Sequence, residues 1–157
     1  MRSTGRRAWV IVRVRILCLG LLLASAAVAA AVAQQDAVQA RRAAMKANGQ
    51  ALMHIDKIIR SGGNPADVIG LANRIAAMAG QIPGLFPSGS GKGDAAADPA
   101  IWQQFGDFQD KAADLQNQAA MLAAAAQAGD LPTVRAQFDK VVEACGDCHK
   151  PYRHQRW

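Results

Sequence analysis

The sequence predicts an all-α protein, an up-down-up-down antiparallel four-helix bundle. Three observations carry this expectation. Apolar residues recur three and four apart along most of the chain after residue 33. No strand-like alternation competes with that period. Two of the breaks between helical stretches, at Gly62-Gly63 and at Gly129, are short, so the helices they join must be antiparallel neighbours.

Each element has its own start and stop. The first helix runs from about Asp36 to Ile59, with Val38, Met45, Leu52 and Ile59 seven apart, and Gly62-Gly63 ends it. Asn64 caps the second helix, Pro65 stands at its first position and Asp67 lies in its first turn. Its apolar positions are Val68, Leu71, Ile75, Met78 and Ile82. A long loop, Pro83 to Ala97, is rich in Gly, Pro and Ser and contains Leu85-Phe86-Pro87. Asp98-Pro99 repeats the cap-then-proline start. The third helix then carries Ile101, Phe105, Phe108, Ala112, Leu115, Ala119, Leu122 and Ala126. Gly129 stops it and Asp130 opens the fourth, with Leu131, Val134, Phe138, Val141, Cys145, Cys148 and Tyr152 on its seam and an end near Gln155.

Residues 1–33 have the pattern of a secretory signal. Arg2, Arg6, Arg7, Arg13 and Arg15 make a basic start, an apolar run extends from Ile16 to Val32, and Ala31-Val32-Ala33 offers a small-x-small cleavage site. The alternative is an uncleaved membrane anchor, which the alanine-rich second half disfavours. Residues 34–157 then form one domain, large enough for a single core. The formal charge of +6 belongs mostly to the leader: five of the 18 Lys and Arg residues lie there, leaving 13 against 12 acidic residues. A nearly neutral mature chain implies no nucleic-acid partner and no stable membrane association.

The chemistry concentrates in Cys145-Gly146-Asp147-Cys148-His149. Two cysteines three apart, followed at once by histidine, read as a covalent c-type haem site. Two thiols one helical turn apart can each add to a vinyl group of one porphyrin, and His149 can reach its iron as an axial ligand. A redox dithiol is expected beside a βαβ pattern, which is absent, and a closed zinc site needs four ligands, for which no second Cys/His pair exists in the mature chain. Cys18, in the leader, has no assigned role. Both motif cysteines fall on the seam of the fourth helix, so the haem, one haem c per chain, lies inside the bundle at one end.

Depth along the bundle suggests what stands opposite His149. The motif lies about 8 residues, or roughly 12 Å, from the end of the fourth helix, and Met45 about 9 residues, or roughly 13 Å, from the start of the first. Met45 is therefore level with the haem. Its thioether can bind iron, giving His/Met coordination and a raised potential, or can wall the distal face beside an open iron. Met78 is a weaker rival, Met121 is at the wrong end and Met53 is off the seam. Arg41, one turn before Met45, can pair with a haem propionate, although spacing alone favours a solvated surface arginine. Arg153, four residues after His149, can lie along the proximal side. Trp102, Phe105, Phe86 and Tyr152 are expected to wall the pocket. His54 and His154 are expected at the surface.

Taken together, Cys-Gly-Asp-Cys-His-Lys-Pro-Tyr-Arg near the C-terminus, Arg41 with Met45, Pro-Ala-Ile-Trp at 99–102 and Ala-Gly-Asp-Leu at 128–131 resemble a class II c-type cytochrome of the cytochrome c′ family. Cytochrome c′ is itself a standard example of the up-and-down bundle, so the topology belongs to the resemblance. The resemblance covers the whole mature chain. It implies a periplasmic haem protein with His149 as proximal ligand, Arg41 near the haem and Arg153 on the proximal side. The family holds two kinds of site: five-coordinate iron that binds nitric oxide or carbon monoxide, and low-spin iron with a methionine from the first helix. Arg-Arg-Ala-Ala-Met-Lys at 41–46 resembles the second kind. Pro151 departs from the family pattern: it removes a backbone hydrogen bond and crowds the Asp147 carbonyl, so the last helix should kink or loosen there.

The expected function is electron transfer between redox partner proteins of the periplasm, through a haem with His/Met ligation and without enzymatic chemistry. The alternative is a five-coordinate haem protein binding nitric oxide or carbon monoxide. The sequence is consistent with a monomer or a homodimer.

Overall fold

The computed structural model describes residues 34–91 and 96–154. The expected signal segment, 1–33, lies outside the described residues, as do part of the loop and Gln155. A helix over 34–60 (α1) is followed by α2 (Ala66–Gln81), a 3-10 turn (Ile82–Leu85), a single short turn α3 (Ala100–Gln103), α4 (Phe105–Ala128) and α5 (Leu131–Tyr152). The long helices α1, α2, α4 and α5 form the expected bundle. No helix among the described residues is long and apolar enough to cross a membrane.

The capping signals act where the sequence places them. Asn64 Oδ1 accepts from Ala66 N at 3.0 Å and Asp98 Oδ1 from Ala100 N at 2.8 Å. The Asp130 carboxylate accepts from Thr133 N at 3.0 Å. Gly129 takes φ +80°, the left-handed conformation that lets α4 end and the chain reverse into α5.

The core takes many of the seam positions, together with alanines and Ile55, while the seam residues Met45, Leu52, Leu71, Met78 and Leu131 are half-buried. Ile55, Val68, Ile75, Leu122, Val134 and Val141 are fully buried, and Ala72, Ala79, Ala112 and Ala119 lie between them. Alanine at the contact lets helix backbones approach closely, and α2 packs along α4 as α4 packs along α5. α1 and α5 run antiparallel. Arg135 Nη2 donates to Ile59 O at 3.3 Å near one end of the pair, while residues 41–52 and 145–153 share a cavity near the other.

Two details depart from the expected elements. The third helix is broken at Gln104 (φ −125°, ψ 46°), which separates α3 from α4. The break lets Ile101 and Phe108 both be buried while Trp102 turns back onto the loop, its indole N–H directed at Phe86 O (3.2 Å) and Pro87 O (3.1 Å). Gly91 permits that approach, because an added Cβ would stand 2.8 Å from the Trp102 ring. The second detail is Pro151. α5 persists through it and stops at Tyr152, where Arg153 becomes extended (φ −121°, ψ 120°). The chain then pairs with the loop: Asp98 N donates to Tyr152 O and His154 N to Ala96 O, both at 3.1 Å, around a bridge between Ala97 and Arg153. Backbone partners lost to the helix are thus replaced by the loop.

Leu122 makes the packing testable. It is fully buried, and Leu122→Ala is expected to lower stability by about 2–5 kcal/mol. At Met121, which is 52% exposed, substitution by Ala should change stability by less than about 0.5 kcal/mol. Urea denaturation of both variants checks the contrast. Tyr152 makes a second test. Burial, and then its hydrogen bond to Asp107 Oδ2 (2.5 Å), push the phenol up to about 12. A raised folded-state value leaves its stabilisation complete below the unfolded value of about 10 and removes it as pH rises toward about 12. Tyr152 is the single tyrosine. Tyr152→Phe should therefore flatten the fall in urea midpoint across that window, and an unchanged fall would contradict this account.

Candidate haem site

The site begins with the geometry of α5. Cys145 and Cys148 are one turn apart, and His149 is four residues after Cys145, so all three share one side of the helix. All three are half-buried and line a single cavity of about 480 Å³. That is within the range of sites for cofactor-sized ligands. The wall is mostly apolar. α1 supplies Arg41, Met45, Asn48 and Leu52, and α4 supplies Phe108 and Leu115.

Of the residues singled out from the sequence, Arg41, Met45, Phe86, Tyr152 and Arg153 share this cavity with the two cysteines and His149. Trp102 and Phe105 do not line it. Trp102 stands behind Phe86, with ring centroids 6.2 Å apart, and Phe105 packs on Phe108 at 5.9 Å. Both support the wall rather than form it. Met78 is half-buried outside the wall, Met53 and Met121 are exposed, and so are His54 and His154. His154 Nδ1 lies 3.2 Å from Asp98 Oδ2.

Arg41 corrects the surface reading that spacing favours. It is 2% exposed, its Nη2 donates to Ser90 O at 2.6 Å, and its guanidinium lies 4.6 Å from the centre of the Phe86 ring. The loop makes this burial possible. Ser90 is itself buried, and its hydroxyl donates to Pro87 O at 2.7 Å. A loop forty-nine residues distant in sequence leaves no periodic signal at Arg41. Asn48 was not singled out. It is buried and lines the cavity, and its place three residues after Met45 and seven after Arg41 is the signal that could have found it.

Electrostatically the motif favours neutral donors. Burial pushes the Cys148 thiol up to about 11 and raises the Cys145 thiol as well. Burial, and then the Arg153 charge, push His149 down, so its imidazole stays neutral with a nitrogen lone pair available to a metal. Two thiols, a neutral imidazole, an apolar cavity and a cationic side chain at its wall fit a porphyrin with carboxylate arms. Cys145 and Cys148 could hold it covalently, His149 could bind its iron, and Arg41 could meet a propionate.

Comparison with known proteins gives the family. A family model described as cytochrome c′ matches residues 36–153. Cytochrome c-554 of Cereibacter sphaeroides is 38% identical over 95 residues, which is 57% of this chain and 71% of that protein. Cytochrome c′ of Rhodopseudomonas palustris is 33% identical over 130 residues, covering 80% of this chain and 87% of the relative. Among solved structures, a nitric oxide complex of a mutant cytochrome c prime from Alcaligenes xylosoxidans superposes with a TM-score of 0.71 at 27% identity, covering 78% of this chain and 97% of that one. With two thiols and an imidazole on the cavity side of its last helix, and with a family match spanning the described bundle, this chain belongs to the cytochrome c′ family of class II c-type cytochromes, which carry covalent haem c and act as electron carriers or gas binders.

Proposed function

We propose that this chain is a periplasmic electron carrier with one haem c, held through Cys145 and Cys148, with His149 and Met45 as the two axial ligands. The observation that carries the reading is Met45. Its thioether, on α1, lines the same cavity as the motif on α5. The haem would supply a one-electron iron couple, and a His/Met ligand pair raises its potential.

The chain's own residues do the rest. Cys145 and Cys148 would hold the haem through thioether bonds to its two vinyl groups, a redox-neutral addition. The neutral His149 imidazole presents its lone pair from α5. Phe86, Phe108 and Leu115 keep the cavity apolar and would keep water away from a bound iron. Arg41 offers a buried cation that can compensate a propionate.

A second reading has a specific support: the structural relative solved as a nitric oxide complex shares this fold. In that reading Met45 walls the distal face without bonding to iron, and the protein binds nitric oxide or carbon monoxide.

Two experiments separate these. With His/Met ligation the oxidised protein shows a low-spin spectrum with a methionine-to-iron charge-transfer band, and the reduced protein binds carbon monoxide slowly. Met45→Ala should abolish the band, lower the reduction potential and make carbon monoxide binding fast. A high-spin oxidised spectrum, or a band that survives in Met45→Ala, would overturn the electron-carrier ligation. Covalent attachment is tested separately: acid acetone should leave the pigment on the wild-type chain and extract it from Cys145→Ser/Cys148→Ser.

A further inference from the structure

Four polar or sulfur-bearing residues of α1 line the cavity: Arg41, Met45 and Asn48 at positions i, i+4 and i+7, and Arg42 beside the first. Arg41 is engaged by the Ser90 carbonyl and the Phe86 ring. Asn48 differs. It is only 9% exposed and lines the cavity, and among the described residues its carboxamide makes no hydrogen bond. Its wall neighbours include Gly49, Leu52 and Leu115, which offer no side-chain partner. A helix interior ordinarily places alanine or leucine at such a position, as α1 does at Ala44, Ala51 and Ile55. The amide is open to water at the cavity surface, and a cofactor that fills the cavity and displaces that water leaves it without a partner, at a cost, unless something bound there answers it.

We propose that Asn48 is a specificity-determining residue of the haem cavity: its carboxamide N–H donates to a small diatomic ligand that takes the place of the Met45 thioether, favouring ligands with an electron-rich outer atom. The inference rests on reading the cavity as a haem site. The placement follows from the helix. Residues three apart on one helix are surface neighbours, so the carboxamide stands one turn from the thioether, on the side toward Leu52. Arg41 stands one turn to the other side and is held by the loop, and Arg42 is exposed, so Asn48 is the buried α1 donor placed to turn toward a ligand that takes the thioether's place.

The test compares Met45→Ala with Met45→Ala/Asn48→Leu, both carrying haem, using carbon monoxide and nitric oxide as probes. A hydrogen bond to the outer atom weakens the C–O bond, so removing the donor should raise the C–O stretching frequency. Nitric oxide should leave the reduced double variant roughly 5–10-fold faster, the factor expected from one lost hydrogen bond. Asn48→Ser keeps a short donor and should restore part of both effects, whereas Asn48→Ala removes the donor without adding volume and should reproduce Asn48→Leu. If Asn48→Leu fails to fold, the alanine variant carries the comparison. Unchanged C–O stretching and nitric oxide release in both donor-free variants, with haem attached, would overturn the role of Asn48 and leave the haem reading intact. A chain that retains no pigment in acid acetone would overturn both.

Discussion

The arrangement depends on α1 and α5 being packed near one end and separated near the other. Near the closed end, Arg135 of α5 reaches the Ile59 carbonyl of α1, and Val134 and Ile55 are buried. Near the open end the same two helices present Met45 and Asn48 on one wall and Cys145, Cys148 and His149 on the other. A bundle packed to native density throughout would have no such space, because interiors tolerate few voids. The separation is maintained by what closes the cavity from outside. Phe86 packs edge-on to Phe108 at 4.9 Å, Phe108 edge-on to Tyr152 at 5.3 Å, and Trp102 clamps the loop backbone behind Phe86. The aromatic residues thus serve as a frame, which explains why Trp102 matters without touching the cavity.

The electrostatic design follows from the same geometry. An apolar cavity disfavours charge, so the thiols are held protonated and the imidazole neutral. Among the described residues one full charge is nevertheless buried, on Arg41. Burying a guanidinium is tolerable only with strong partners, and a backbone carbonyl and an aromatic face supply them. The charge is then in place before any anionic group arrives, so a carboxylate arm entering the cavity meets a cation whose orientation is already set. The C-terminal end is secured in a comparable way. Pro151 forfeits a helix hydrogen bond, and the residues around Arg153 recover partners from the loop at Ala96–Asp98.

How far the site could be read from sequence varied with the range of the interaction involved. The motif on α5 was legible because its chemistry is local: two thiols and an imidazole within five residues need only a helix to align them. Met45 was legible because depth along two antiparallel helices follows from rise per residue. Spacing alone puts Arg41 at the surface, and only the family resemblance puts it near the haem, because its partners, Ser90 and Phe86, lie in a loop without periodicity. Asn48 lies off the apolar seam of the first helix, so its place in the wall emerges only with the cavity. Trp102 and Phe105 were assigned to the wall because their sequence position is at the correct end, whereas the turn at Gln104 rotates them behind it.

By itself the sequence determined the four long helices, their caps and their antiparallel order, because apolar period, Asn64, Asp98, Gly129 and Asp130 act within a turn or two of themselves. It also determined the kind of chemistry, since thiols spaced with an adjacent imidazole have few other uses. Only the tertiary structure decided which alanines are core, such as Ala72 and Ala79, in a chain where alanine is everywhere. Only it decided that the third helix breaks, that Arg41 is buried, and that Asn48 faces the cavity. The reason is common to all of these. Each depends on a surface contributed by a segment distant in sequence, and local spacing carries no record of what will be packed against it.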